Sequence, residues 1–394
     1  MLVKDISICN PSCSSSEIFS DFINYVDTSS VADGTLNGVQ KLTSQYPSRA
    51  QREVLQNDIL ISSVRPNLKH NYFASSVMPH MVASTGFIHI RVTDFEKISP
   101  LFLYYFLTSP TCVGNYIRIA DTAQSSYPSF NKEVIESTSL PDFDLPTQRH
   151  IASILGNLDE RIEICRKKIA LIRSFIERLY DYWFVQFKFP GHECSDMMWN
   201  DKAKKNIPQH WTVGVLSDCA DITMGQSPDG ASYNVDRNGI LFFQGATDFG
   251  EVFPSERQYT TSPTRYARGG DILLSVRAPV GTMNVAMKDC CIGRGLAAIR
   301  GKCCCNSFIE ISLKKFAAVF ARKNGDGTTF GAITKDELFG LPVIIPEKKI
   351  LSSFGEIAIP LEKEITVEAC KMSKLIEQRD WFLPMLMNGQ VVVE

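Results

Sequence analysis

One unit is written twice in this chain. Asp58-Ile59-Leu60 followed by Arg65-Pro66 recurs as Asp271-Ile272-Leu273 followed by Arg277-Ala278-Pro279. STGFIHIR, with Gly86 and Arg91, recurs as GRGLAAIR, with Gly295 and Arg300. SSYPSFNKEVIESTSLP recurs loosely as GTTFGAITKDELFGLP, which aligns Lys132 with Lys335 and Glu133 with Asp336. Pro146 and Pro346 each open a polar, helix-forming stretch, and the stretches end in Trp183-Phe184 and Trp381-Phe382. The offset drifts in one direction, from 213 through 209, 203 and 200 to 198, as a few loop insertions and deletions would make it. A period near 200 is far longer than a solenoid repeat. It means two copies of a whole domain followed by a helix, which fits the two or three domains expected of 394 residues.

The helix of the first copy is the plainer one. Across 147–184 apolar residues fall at Ile151, Ile154, Leu158, Ile162, Cys165, Ile169, Ile172, Ile176, Leu179 and Trp183, a seam close to a heptad repeat. The second copy keeps the rhythm less well through Ile350, Phe354, Ile357, Leu361, Ile365, Ala369, Met372, Ile376 and Arg379. Pro360 is expected to kink or interrupt it. Two such seams can bury each other as an antiparallel coiled coil, paired through Ile154, Leu158, Ile162, Ile169 and Ile176 against Leu361, Ile365, Met372 and Ile376. The outer faces are then expected to be charged. Roughly 38 residues of helix span about 57 Å, which suits a spacer better than a core.

Before each helix the pattern is mixed α/β. DILISSV, GFIHIRV, DILLSV and LAAIR read as strands bounded by turn residues, LFLYYFLTS (101–109) reads as a short apolar helix, and 225–254 reads as loop and turn. The fold class is therefore α+β. Its parts are a first domain over 1–146, a first long helix over 147–186, a linker over 187–206, a second domain over 207–346 and a second long helix over 347–394.

Several chemistries are missing. The sequence has no GxxxxGK[ST] phosphate loop, no Asn-Pro-Pro-aromatic motif, no dinucleotide-type G-x-G-x-x-G after a strand, no HExxH and no G-x-S-x-G. Cys290-Cys291 and Cys303-Cys304-Cys305 lack the C-x2-C spacing of zinc sites, so no metal is expected and buried thiols are. Without a signal-peptide pattern or a long apolar run, a cytoplasmic protein with no membrane span is expected, its cysteines reduced. The net charge of −2 excludes a uniformly basic coat for nucleic acid. Residues 147–206 nevertheless carry 11 Lys and Arg against 8 Asp and Glu, which leaves room for local positive ground.

Trp211 to Leu216, Ile222 to Pro228 and Tyr233 look like the opening of a recognition domain. Gly270 to Arg277 look like its middle strand, and Gly327 to Pro342 its end. Leu145-Pro146-Thr147-Gln148 through Asp159 look like the start of a conserved helix. In this ordered, repeated set the chain resembles the specificity subunit of type I restriction–modification enzymes over nearly its whole length. The chain departs from that pattern where the first copy lacks the Trp-x4-Leu opening and Met1 to Ser16 match little of it. The resemblance implies two target-recognition domains joined by two long antiparallel helices in a pseudo-two-fold arrangement. It implies a non-catalytic chain that reads an asymmetric, bipartite duplex DNA target and binds two methyltransferase subunits and restriction–translocase subunits. S-adenosylmethionine, ATP and Mg are then cofactors of those partners, and none belongs to this chain.

Base readers are expected among polar residues in the loops after the aligned strands. In the first copy these are Arg65, Asn67, Lys69, Ser126 and Asn131; in the second they are Gln244, Arg277, Asn284, Arg294 and Thr329. Arg can contact guanine bidentately, and Asn or Gln adenine. Lys132 and Lys335 suit phosphates. Tyr127 and Phe330 read as core residues. Two rivals remain at this level. One is a two-headed coiled-coil adaptor that binds only proteins. The other is a nuclease built on Asp58 and Asp271, although a carboxylate before a buried strand more often belongs to a turn.

Overall fold

A computed structural model describes residues 1–11, 21–32, 34–122, 128–194, 196–302, 305–325 and 331–391. The chain divides into two compact units, one of Met1–Ile164 with Met372–Glu394 and the other of Cys165–Lys371. Helices and strands mix in both, as an α+β fold requires.

Unit one is built on an antiparallel sheet with strands in the order Ser7–Cys9, Phe87–Val92, Ile59–Ser62 and Asn71–Phe73. A second sheet runs Gln40–Leu42, Ile23–Val26, Met81–Ser84 and Ala50–Glu53, with its middle pair parallel. The apolar segment at 101–109 forms the helix Pro100–Leu107, buried through Phe102, Leu103 and Leu107.

Unit two repeats the plan. Its antiparallel sheet has the order Ala220–Met224, Leu296–Gly301, Ile272–Ser275 and Met283–Val285. A second sheet again has a parallel pair, Ile240–Phe243 beside Cys290–Ile292. All four segments read as strands from the sequence lie in strands here.

The repeated residues prove to be the ones that build this scaffold. Asp58 Oδ2 accepts the Leu55 N–H at 2.7 Å, and Asp271 Oδ2 accepts the Arg268 N–H at 2.7 Å. Arg91 donates to both Asp58 oxygens, at 2.9 and 2.7 Å, and Arg300 ion-pairs with Asp271. The turn residue before each aspartate is left-handed, Asn57 at φ 71° and Gly270 at φ 86°. Both carboxylates are thus committed to arginine and to a turn, which removes the nuclease rival's candidates. Burial alone would raise the Asp58 carboxyl, but hydrogen bonds from His89 and Arg91 outweigh it and hold it below its ordinary value. Its stabilisation is therefore complete above the ordinary carboxylate range and is lost as pH falls through the lowered value. Asp58→Ala should cost about 3 kcal/mol by leaving the partly buried Arg91 without its counter-charge and the buried His89 ring without its hydrogen-bond partner. A thermal melt within 0.5 kcal/mol of wild type would contradict this.

The repeat begins earlier than Asp58 and Asp271. Asp5 Oδ2 accepts the Leu2 N–H at 2.7 Å and Asp218 Oδ2 accepts the Val215 N–H at 2.8 Å, so Leu2–Asp5 and Val215–Asp218 are the same turn. Met1 to Cys9 therefore do match the second copy, at the 213 offset that relates Asp58 to Asp271.

The first long helix runs Leu145–Tyr180 and closes in a π-turn, Asp181–Val185. The second runs unbroken over 40 residues, Lys348–Met387. The expected interruption at Pro360 does not occur. Pro360 is exposed, and so is Glu356, whose carbonyl loses its helical donor and can turn to water. In unit two the helices are antiparallel, with Lys168 on Glu364 and Glu368 and Trp183 on Phe354. In unit one Asp159 pairs with Arg379 at 3.1 Å. Leu158, Ile162, Ile169, Ile176 and Met372 are buried as the seam requires, with Leu361 and Ile365 half-buried. Ile154 and Ile376 only flank it; their neighbours Leu155 and Leu375 take the inner places. The two Trp-Phe pairs also differ, since Trp183 is buried and Trp381 is 56% exposed.

The stretch read as a linker contains a hairpin, Met197–Asn200 against Lys205–Pro208. Burial pushes the Cys290 thiol up to about 12, which suits a core residue. Cys303 and Cys304 lie outside the described residues.

Candidate nucleic-acid interface

In unit one the chain leaves the strand Ile59–Ser62 through a loop tied to a second segment. Ser62 Oγ donates to the Val64 carbonyl, Arg65 N–H to the Pro128 carbonyl at 2.9 Å, and Phe130 N–H to the Ser63 carbonyl at 3.0 Å. Arg65 and Lys69 are left-handed on either side of the turn Pro66–Leu68. Arg65, Asn67 and Lys69 are exposed on this loop, and the tie brings exposed Asn131 beside it. Lys132 opens the short helix Lys132–Glu136 and pairs with Glu136 at 3.2 Å. Ser126 and Tyr127 lie outside the described residues.

Unit two makes the same exit. Ser275 Oγ donates to the Arg277 carbonyl at 2.7 Å, and Ile333 N–H to the Val276 carbonyl at 3.0 Å. The bridges Val64–Ser129 and Arg277–Ala332 occupy the same place in the two copies. The counterpart of Arg277 is therefore Val64, not Arg65, and the sequence alignment was one residue out at that point. Arg277 is exposed; Lys335, also exposed, lies over the Phe339 ring at 5.2 Å. Thr329 and Phe330 lie outside the described residues.

Four further segments of unit two meet backbone to backbone. Gly225 N–H donates to Leu296 O, Gln226 N–H to Ile292 O, Ile292 N–H to Arg265 O, and Gly293 N–H to Phe243 O, all within 2.8–3.0 Å. A Cβ on Gly225 would lie 2.2 Å from the Gly293 carbonyl oxygen, and one on Gly295 would lie 2.5 Å from that of Gln244. No side chain fits at either point, so the glycines are what let the loops pack. The platform displays Gln226, Gln244, Arg265 and Arg294, all exposed and none with a side-chain partner among the described residues. Long polar side chains on a stiff backbone with nothing internal to bind are suited to reading base edges.

The structure brings Gln244, Arg277 and Arg294 together, since Val276 N–H donates to the Gly295 carbonyl and Gly293 N–H to the Phe243 carbonyl. Asn284 leaves the group. It is 8% exposed, its Nδ2 donates to the Gly250 carbonyl and its Oδ1 accepts the Val285 N–H, so its amide is spent inside the fold. Gln226 and Arg265 were missed. Gly225-Gln226-Ser227-Pro228 stood out only as a domain opening, yet the Gly-Gln step was the available signal.

A type I restriction modification DNA specificity domain model matches residues 5–174. The putative MjaX specificity subunit of Methanocaldococcus jannaschii is 28% identical over 306 residues, 76% of this chain and 70% of that one. The type I restriction enzyme HindI specificity subunit of Haemophilus influenzae is 21% identical over 88% of this chain and 89% of its own. The chain is similar in sequence to type I restriction specificity subunits, through a domain match over residues 5–174 and relatives that align over most of its length. The fold agrees: a type I S subunit from M. genitalium superposes at TM-score 0.58 and 13% identity, over 98% of this chain and 95% of that one. A specificity subunit is the non-catalytic member of its system, and methylation and cleavage lie in partner subunits. Among the described residues no helix is long and apolar enough to cross a membrane.

Proposed function

We propose that this chain reads an asymmetric, bipartite DNA target, one half with each unit, and docks two methyltransferase subunits along its long helices. Restriction–translocase subunits join through the same assembly. The observation that carries the reading is a shared scaffold with unlike loops. The aspartate turns, the arginine pairs and the loop bridges recur in both copies, whereas the exposed polar residues differ: Arg65, Asn67, Lys69 and Asn131 in the first copy, Gln244, Arg277 and Arg294 in the second. Two frames of one design with different exposed side chains will select two different base blocks. Lys132 and Lys335 each stand first in a short helix, where the positive end of the peptide dipoles disfavours a cation. Their recurrence there supports a phosphate contact common to both halves.

The docking face differs from the charged one expected. The first long helix exposes Leu171 at 66% and Phe175 at 51%, four residues apart on one side, and the π-turn that follows exposes Tyr182 at 46%. Such a stripe suits a partner helix.

Replacing residues 1–146 with the matching domain of a relative should change one half of the methylated motif and leave the other. Methylome sequencing reads this directly, and a change in both halves would refute separable readers.

A further inference from the structure

The ribbon between the first long helix and the second domain carries a feature that base reading does not use. Met197–Asn200 pairs with Lys205–Pro208, and no third strand joins them among the described residues. An isolated two-stranded ribbon is marginal in water unless something else supports it. Its turn is well fixed: Asn200 Oδ1 accepts the N–H groups of Lys202 and Ala203, each at 3.0 Å. Trp199 Nε1 donates to Asp201 Oδ1 at 3.1 Å, which holds the indole by its polar edge and leaves the side chain 60% exposed. Met197 and Met198 are exposed beside it, at 47% and 51%.

The turn also concentrates charge, in Lys202, Lys204 and Lys205. Several lysines elsewhere in the unit do have carboxylate partners: Lys168 with Glu364 and Glu368, Lys288 with Glu256, Lys314 with Glu177, Lys315 with Asp181, Lys323 with Glu337. None of the three ribbon lysines has a carboxylate partner among the described residues, and Lys205 lies over the Phe187 ring at 5.0 Å. In a chain of net charge −2 this is not a general surplus of base.

We propose that this ribbon is a sequence-independent clamp on the DNA backbone, with Lys202 and Lys204 on phosphates and the Trp199 ring against the adjoining sugar. Unpaired lysines favour a phosphodiester over a protein, because lysine is depleted at protein interfaces and phosphate contacts are built from it. The clamp rests on the DNA-reading role proposed above and adds to it a contact that carries affinity without selecting bases.

The test uses the complete complex with its methyltransferase subunits and two duplexes, one containing the methylated motif and one unrelated. Binding is followed by fluorescence anisotropy across a salt series for wild type, K202A/K204A and W199A. The double variant should bind both duplexes about tenfold more weakly near physiological salt, with a salt slope smaller by about two. W199A should weaken both duplexes equally, and the methylated motif should not change for either variant. Unchanged affinity and slope would overturn the clamp. A changed motif would overturn it in favour of base reading, and lost co-purification with the methyltransferase at an unaltered slope would overturn it in favour of protein docking. Arg294→Ala separates the two levels. If it relaxes the second half of the motif while the ribbon variants do nothing, the reading stands and the clamp falls. If it changes nothing either, the reading falls too.

Discussion

Ile162→Asp with Ile169→Asp should give a chain that melts at least about 10 °C lower and no longer co-elutes with the methyltransferase subunit proposed as its partner. Ile162 is 1% exposed in unit one and Ile169 is 4% exposed in unit two, so each substitution puts an unpaired carboxylate into the helix seam of its own unit. Such a charge costs several kcal/mol, and each kcal/mol is worth about 2–4 °C in a unit of this size. Two cations of the helix pair are already committed. Lys168 is already held by Glu364 and Glu368, and Arg379 by Asp159 and Asp380. A paired control separates stability from docking. Leu171→Glu with Phe175→Glu changes only exposed positions, so the melt should stay near wild type while co-elution is lost. A seam variant that kept both its melting temperature and its partner would show that the helices are not the docking element.

The parts of this fold that could be read from the sequence are those where packing forces one residue type to recur. Asp58 and Asp271 stand out because a turn, a buried strand and an arginine all depend on the same carboxylate. Ile162, Cys165 and Ile169 stand out because a seam repeats. Where the constraint is local and short, the signal fades. The turn at Asp5 is the same device as the turn at Asp218, but it spans four residues of which only the aspartate is shared. Seam positions one residue apart, such as Ile154 and Leu155, are both apolar, and only the face the helix turns inward tells them apart. Pro360 misled because a helical proline is costly when its freed carbonyl is buried, and here the position is exposed. The residues proposed to read bases are the least legible. Nothing internal selects Gln244 or Arg294, so only the rigidity of the loops beneath them marks the place, and that rigidity comes from glycines that carry no side-chain pattern.

Lengthening both helices by four residues, beside Lys168 in the first and beside Thr366 in the second, should move the two half-targets apart by a base pair or two. Lys168 pairs with Glu364 and Glu368, so insertions at these points extend the seam without misaligning it. The first long helix has 36 residues, about 54 Å at 1.5 Å each, or roughly 16 base pairs at 3.4 Å. That sets an upper limit on the span. Readers on the same side of a duplex sit about one helical turn apart, roughly 10 base pairs centre to centre. If each reads about three to five base pairs, the unread gap is about five to eight. Four added residues contribute about 6 Å and a rotation of about 40°. The translation corresponds to nearly two base pairs and the rotation to about one, so the two demands are close enough for a small change of twist in the gap to satisfy both. Methylome sequencing should therefore show both half-motifs intact with a longer gap, and a two-residue insertion should not, because a rotation near 200° turns one reader away from the groove. A gap that kept its length with full methylation after the four-residue insertion would sink the helices as the ruler.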